Sequence, residues 1–289
     1  MKYVENRLSN QVSLSIYNLL KKVVTHLILL CTIFTFTACD SIFSSDDEEP
    51  ERTVAWEQTF NQDTQGWITN ATSGQQGWCG SISQFASNEG PVSFLAQSGY
   101  ATVMGGPCNS YWQDQGFPAS APYSPAEGFS STWPENGFAN ELNIYLDPQW
   151  EAGSGFGFSV SALNQDGSHL KSDSHSGYFV FQVSADSSTG SLLAGTSNQT
   201  VFSAPQNLES GKHFEVNEAG WYNFRHEFFN DNGNLAVELQ ILRNGSVVYE
   251  ERHTTSFSIA EEVGGNEYAW FTFISDGLNL PIDQHEFLK

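Results

Sequence analysis

The sequence predicts an all-β domain, a two-sheet antiparallel sandwich of the jelly-roll kind, and three observations carry that prediction. Short runs alternate apolar and polar residues at close spacing. Gly, Asn, Asp and Ser punctuate them. No apolar stripe of helical period continues beyond about ten residues.

Val54 to Phe60 opens the domain, followed by expected strands at 92–95, 100–104, 141–146, 156–163 and 178–184. The last third is the clearest, with strands expected at 220–229, 235–242, 246–252, 268–275 and 282–288. Two hairpins are signalled. Asn230-Asp231-Asn232-Gly233-Asn234 joins one pair of strands, and Asn244-Gly245 joins the next. Asn-Gly suits a two-residue turn because both positions need positive φ. In Leu235-Ala236-Val237-Glu238-Leu239-Gln240-Ile241 the odd positions are large and apolar, so one face meets a core and the other meets water.

Gly105 to Gly137 reads differently. It holds Pro107, Pro118, Pro122, Pro125 and Pro134, five of the chain's 10 prolines, so it is expected as a long loop. Its aromatics argue against disorder. Tyr111, Trp112 and Trp133 are its candidate sugar-stacking platforms, beside the polar Asn109, Gln113, Asp114, Gln115 and Asn136. Flat rings stack on the C–H faces of pyranoses, and amides and carboxylates bond the hydroxyls. The same rings could equally be anchors that pack the loop on a sheet.

The N-terminal part has another character. Lys21 and Lys22 precede an apolar run from Val23 to Ala38, shorter than the roughly 20 residues that cross a bilayer and suited to a secretory signal. The run ends in Phe36-Thr37-Ala38-Cys39, which resembles a bacterial lipobox, although Phe36 stands where Leu is usual and the n-region is long. The resemblance implies lipidation of Cys39 and a signal peptide at 1–38. Residues 39–52 form an acidic tether too poor in apolar residues to fold, and 53–289 form the sandwich domain. Ser45-Asp46-Asp47-Glu48-Glu49 resembles short acidic export signals, which implies an outer-membrane anchor with the domain able to reach the cell surface; Asp40 directly after Cys39 would instead retain the protein at the inner membrane under the enterobacterial sorting rule. An uncleaved N-terminal anchor is the alternative.

The chain has 11 basic and 33 acidic residues; after Cys39 is reached, 7 and 32 remain. Such a surface repels nucleic acid and anionic lipid, so nucleic-acid binding is excluded as a function class. All 8 tryptophans follow the tether, which supplies ample core material. Of the 4 cysteines, Cys31 leaves with the signal and Cys39 takes the lipid. Cys79 and Cys108 remain in an oxidising compartment, where a disulfide is the default; a two-cysteine zinc site lacks supporting spacing.

Four phrases together resemble exported bacterial domains of the concanavalin A-like lectin/glucanase type: Asn140 to Asp147, Gly155 to Ala162, Gly220 to His226, and Val263 to Ile274. The resemblance covers about residues 55 to 288 and implies two packed antiparallel sheets without a settled activity. Phe60 to Trp67 and Ile282-Asp283 also resemble jelly-roll sugar binders. There the first and last strands lie side by side, often with a structural calcium. By that resemblance Asp283 and Glu57 are the candidate calcium ligands; two solvated edge acids are the alternative.

The glucanase branch places Glu, Asp and Glu at alternate positions of one strand. Here Glu141 is followed by Asn143 and Tyr145, and one carboxylate cannot serve as both nucleophile and acid. A lyase would need a base and a cation for the sugar carboxylate, roles open to Arg225, His226, Tyr222 and Tyr268. Alternation puts His226 with Tyr222, Phe224 and Phe228 on a core face, and sets Arg225 and Glu227 together on the other. His169, His175, His213 and His253 read as surface residues, and no phosphate loop, nucleophile elbow or paired-His zinc motif occurs. The expected role is therefore noncatalytic glycan binding at the cell surface. The alternatives are a polysaccharide lyase or hydrolase with an unrecognised site, or an adhesion or structural surface protein.

Overall fold

A computed structural model describes residues 52–67, 81–86, 99–105, 123–124, 130–172, 176–198 and 208–289. Among them fourteen strands form two antiparallel sheets. The first eight are β1 (Val54–Gln58), β2 (Ser81–Ala86), β3 (Gly99–Met104), β4 (Tyr123–Ser124), β5 (Phe138–Leu146), β6 (Gly155–Asn164), β7 (Tyr178–Ala185) and β8 (Leu192–Ser197). The rest are β9 (Phe214–Val216), β10 (Gly220–Asp231), β11 (Asn234–Arg243), β12 (Ser246–Ser258), β13 (Val263–Ile274) and β14 (Asn279–Leu288).

The first sheet runs β12-β11-β10-β5-β14-β3-β2, and β1 shares with β3 the free side of β14. The second runs β4-β13-β6-β7-β8-β9. The first and last strands thus pair directly, Glu57 opposite Glu286 and Gln58 opposite His285.

Alternation decides which face each side chain takes. Tyr222, Phe224, His226 and Phe228 of β10 point inward, as do Phe156, Phe158 and Val160 of β6 and Phe179, Phe181 and Val183 of β7. The two inner faces meet through rings. Phe224 sits 5.0 Å from Phe181 and 5.9 Å from Phe156, edge-on in both cases, and Phe228 meets Phe179 at 5.5 Å. Full burial of each such ring contributes about 1.5–3 kcal/mol, so this layer is the main stabilising term of the fold.

Both expected hairpins form. Asn232-Gly233 is the turn of the first, at φ 54° and 95°, and Asn244-Gly245 of the second, at 52° and 76°. The first turn is tighter than expected, since β10 and β11 run in to Asp231 and Asn234.

Other elements were not foreseen. β2 and β8 carry too little alternation to read as strands (SISQFA and LLAGTS), and their pairing partners hold them. The 105–137 stretch contributes the two-residue strand β4 to the edge of β13. The expected strand at 92–95 lies outside the described residues. β14 begins before Pro281, which pairs across to Thr102 on β3; its pairing with β5 begins only at Ile282, so the missing N–H breaks no ladder there.

Candidate functional site

The outer face of the first sheet carries a built arrangement of polar and aromatic side chains. On β5, Glu141, Asn143 and Tyr145 share that face. On β10 the residues directly opposite are Arg225, Asn223 and Trp221. Three cross-strand pairs therefore form a ladder: Glu141 with Arg225, Asn143 with Asn223, and Tyr145 with Trp221.

Each rung is held. Arg225 Nε lies 3.4 Å from Glu141 Oε1, and Arg225 donates from Nη2 to Glu227 Oε2 at 2.9 Å. Asn223 Nδ2 donates to Glu141 Oε2 at 3.1 Å and to Asn143 Oδ1 at 3.2 Å. Asn143 Nδ2 in turn donates to Gln284 Oε1 at 3.2 Å. Asn223 Oδ1 has no hydrogen-bond partner among the described residues. At the aromatic end Trp221 meets Tyr145 edge-on at 5.5 Å and Tyr100 at 6.1 Å, and Tyr100 stacks on Phe85 at 5.4 Å.

Charge gathers at the opposite end. Arg52 pairs with Glu227 and donates to the Asn136 carbonyl at 2.9 Å. On the other flank of β5, Glu286 of β14 stands opposite Glu141, and Glu57 of β1 stands opposite Glu286. Burial, then the charges of Glu141 and Glu57, push the Glu286 carboxyl above the usual carboxylate range. Burial also raises Glu227, against the pull of Arg52 and Arg225.

A bulge in β14 sets this geometry. Gln284 takes φ 46°, and the register shifts between Asp283 and His285. Asp283 then lies opposite Asn143, and His285 opposite the core residue Leu142. Asp283 Oδ1 accepts the Gln284 N–H at 2.9 Å.

The residues singled out from the sequence fall as follows. Cys39, Cys79, Cys108, Tyr111 and Trp112 lie outside the described residues. Trp133 packs on the core with its ring 5.3 Å from Phe138 and its Nε1 buried, so it anchors the loop that carries it. Glu57 and Asp283 do not share a site. Glu57 is exposed and faces Glu286 across β1 and β14, whereas Asp283 is fully buried opposite Asn143 on β5. They do not fit one shared calcium ion, and among the described residues no three His, Cys, Asp or Glu side chains group to hold a metal.

His226 is a core histidine as alternation implied: fully buried, with Nε2 2.9 Å from the Phe179 carbonyl. Arg225 and Glu227 pair on the other face, also as implied. Glu141 stands at the middle of a central strand with its side chain 22% exposed. His253, expected at the surface, is half-buried with Nε2 2.9 Å from Thr196 Oγ1.

No protein-family model matches the chain, and no curated protein does. Among solved structures the chain is similar to the CBM2 module of an evolved Dit of Lactobacillus casei BL23 phage J-1, at 13% identity over 82% of this chain and 96% of that one, with a TM-score of 0.41. It is similar to lectin I from Ulex europaeus in complex with the methyl glycoside of α-L-fucose, at 12% identity over 80% and 96%, TM-score 0.35. Peanut lectin is similar at 9% identity over 77% and 95%, TM-score 0.34. The two-sheet sandwich rests on the strand pairing above and not on these likenesses.

Proposed function

We propose that this protein is a lipid-anchored, noncatalytic glycan-binding protein of the bacterial envelope that captures glycans at the cell surface through the outer face of its first sheet. One observation carries the reading: the cross-strand ladder Tyr145–Trp221, Asn143–Asn223 and Glu141–Arg225. Aromatic rings stand beside amides and a carboxylate that neighbours already hold in place, so little side-chain entropy is lost when hydroxyls bind. Stacking rings plus fixed planar hydrogen-bonding groups are the chemistry a neutral sugar chain needs.

The test is a glycan array and polysaccharide-retardation screen with the full-length protein, with and without calcium, bound glycans being checked for cleavage. Binding without cleavage that is lost in Trp221→Ala supports the reading. No binding to any glycan sinks it in favour of a protein-binding or structural role. Shortened glycans replace it with an enzyme. The pair to examine would then be Glu286, whose carboxyl is raised, and Glu141, which Arg225 and Asn223 contact.

Anchoring is supported by Lys21-Lys22, the apolar run to Ala38 and the Phe36-Thr37-Ala38-Cys39 junction. Metabolic labelling with a palmitate analogue tests it: label is expected in the native chain and absent from Cys39→Ala. Surface exposure is tested by protease shaving of intact cells.

A further inference from the structure

The amide rung of the ladder has a direction. Glu141, ion-paired with Arg225, acts as an acceptor, and its Oε2 takes a hydrogen bond from Asn223 Nδ2 at 3.1 Å. That contact fixes which way the Asn223 amide points. Asn223 Nδ2 also donates to Asn143 Oδ1 at 3.2 Å, so Asn143 turns its own Nδ2 to Gln284 Oε1, again at 3.2 Å. Turning over any one of the three amides would set donor against donor or oxygen against oxygen. The polarity leaves one acceptor over: Asn223 Oδ1 is buried and has no hydrogen-bond partner among the described residues. We propose that Asn223 Oδ1 receives the N–H of an acetamido group, so that this face takes glycans built from N-acetylated amino sugars. The inference rests on the glycan-binding reading and names its substrate class.

Three arguments favour that occupant. First, a hydroxyl turns to donate or accept as required, whereas an amide N–H only donates. An acceptor held in one orientation by Glu141 and Asn143 therefore rewards a group of fixed polarity. A carboxylate or sulfate, which only accepts, meets it oxygen to oxygen. Second, a buried acceptor left unpaired is costly, and a ligand donor recovers that cost. Third, Trp221 stands two residues along β10 on the same face, about 7 Å away. The acetamido methyl then has an apolar ring to pack against, which a hydroxyl or an ammonium in its place does not use.

The experiment is isothermal titration of the full-length protein in detergent with three β-1,4-linked tetramers, of N-acetylglucosamine, glucosamine and glucose. They differ only in carrying an acetamido group, an amine or a hydroxyl at one ring carbon. The acetylated tetramer is expected to bind about tenfold tighter than either other, the worth of one recovered hydrogen bond. Asn223→Leu removes the acceptor and is expected to bring the three affinities together. Glu141→Gln keeps the shape of its side chain but lets the amides run in either direction. It is expected to reduce the preference, and it carries the test if Asn223→Leu does not fold.

Equal affinities in the native protein overturn the proposal, and so does a preference for the glucosamine tetramer, since charge would then be the cause. A preference that survives Asn223→Leu overturns it too, because the contact would lie elsewhere. If no tetramer binds while the array returns another glycan, the acetamido assignment fails and the binding reading stands. If no glycan binds at all, the binding reading itself has failed.

Discussion

His226 reaches across the core from β10, and its Nε2–H donates to the Phe179 carbonyl of β7 at 2.9 Å, joining the two sheets through a side chain buried among phenylalanines. A second fully buried histidine, His285, contacts Asn140 through Nε2 at 3.0 Å and meets the rings of Trp56 and Trp67 at 5.0 and 5.2 Å.

Burial pushes both imidazoles down to about 3, so the folded protein holds them neutral. The unfolded chain takes up these protons below about 6.5. The stabilisation is therefore whole above that pH and is lost as pH falls from about 6.5 toward 3, at up to about 1.4 kcal/mol per pH unit for each histidine. The raised carboxyls of Glu227 and Glu286 act in the opposite sense at the acidic end. Urea unfolding between pH 7 and 4 checks this. His226→Gln is expected to halve the histidine share of the pH slope, and an unchanged slope would rule out the assignment.

Phe224 fills the middle of the ring layer between Phe156 and Phe181. Phe224→Ala is expected to cost about 3–5 kcal/mol, because neighbours drawn from both sheets cannot collapse into the space. The urea midpoint reads it directly.

Gly137 turns the chain into β5 at φ 73°, and a Cβ there would stand 2.0 Å from the Phe228 carbonyl oxygen. Gly137→Ala adds a clash with strand backbone to the cost of a left-handed conformation. It is expected to cost well over about 1 kcal/mol. Gly233→Ala has open space around it and serves as the control that carries the φ cost alone.

Ser81 pairs with Met104 at one end of the β2–β3 ladder. Cys79 and Cys108 lie two and four residues beyond those partners, so chain length allows a bridge between them. Alkylation with and without reductant should show no free thiol at either position before reduction. Cys108→Ala should then lower stability by about 3–4 kcal/mol. Free thiols at both positions in the native protein would refute the pairing.

The strands with clean alternation were readable from local sequence. Leu235 to Ile241 and Tyr222 to Phe228 declare their faces, and with them the core role of His226 and the outward pairing of Arg225 with Glu227. β8, with Leu192 to Ala194 all buried, was not readable, because a strand covered on both faces shows no alternation. The site was half readable. Trp221, Asn223 and Arg225 could be put on one face, and Glu141, Asn143 and Tyr145 on another, but local sequence does not say that the two faces are the same.

The sequence by itself determined the all-β class, the two Asn-Gly hairpins and the inward faces of the strongly periodic strands, because turn chemistry and a two-residue period act over a few residues. Only the tertiary structure decided what stands beside what. Uninterrupted alternation would put Asp283, His285 and Phe287 on one face of the last strand. The bulge at Gln284 instead leaves the buried Asp283 opposite Asn143, sends His285 into the core and carries Glu286 out beside Glu141. That juxtaposition joins residues far apart in the chain through a register shift that the packing of β14 between β5 and β1 imposes. The candidate site depends on it.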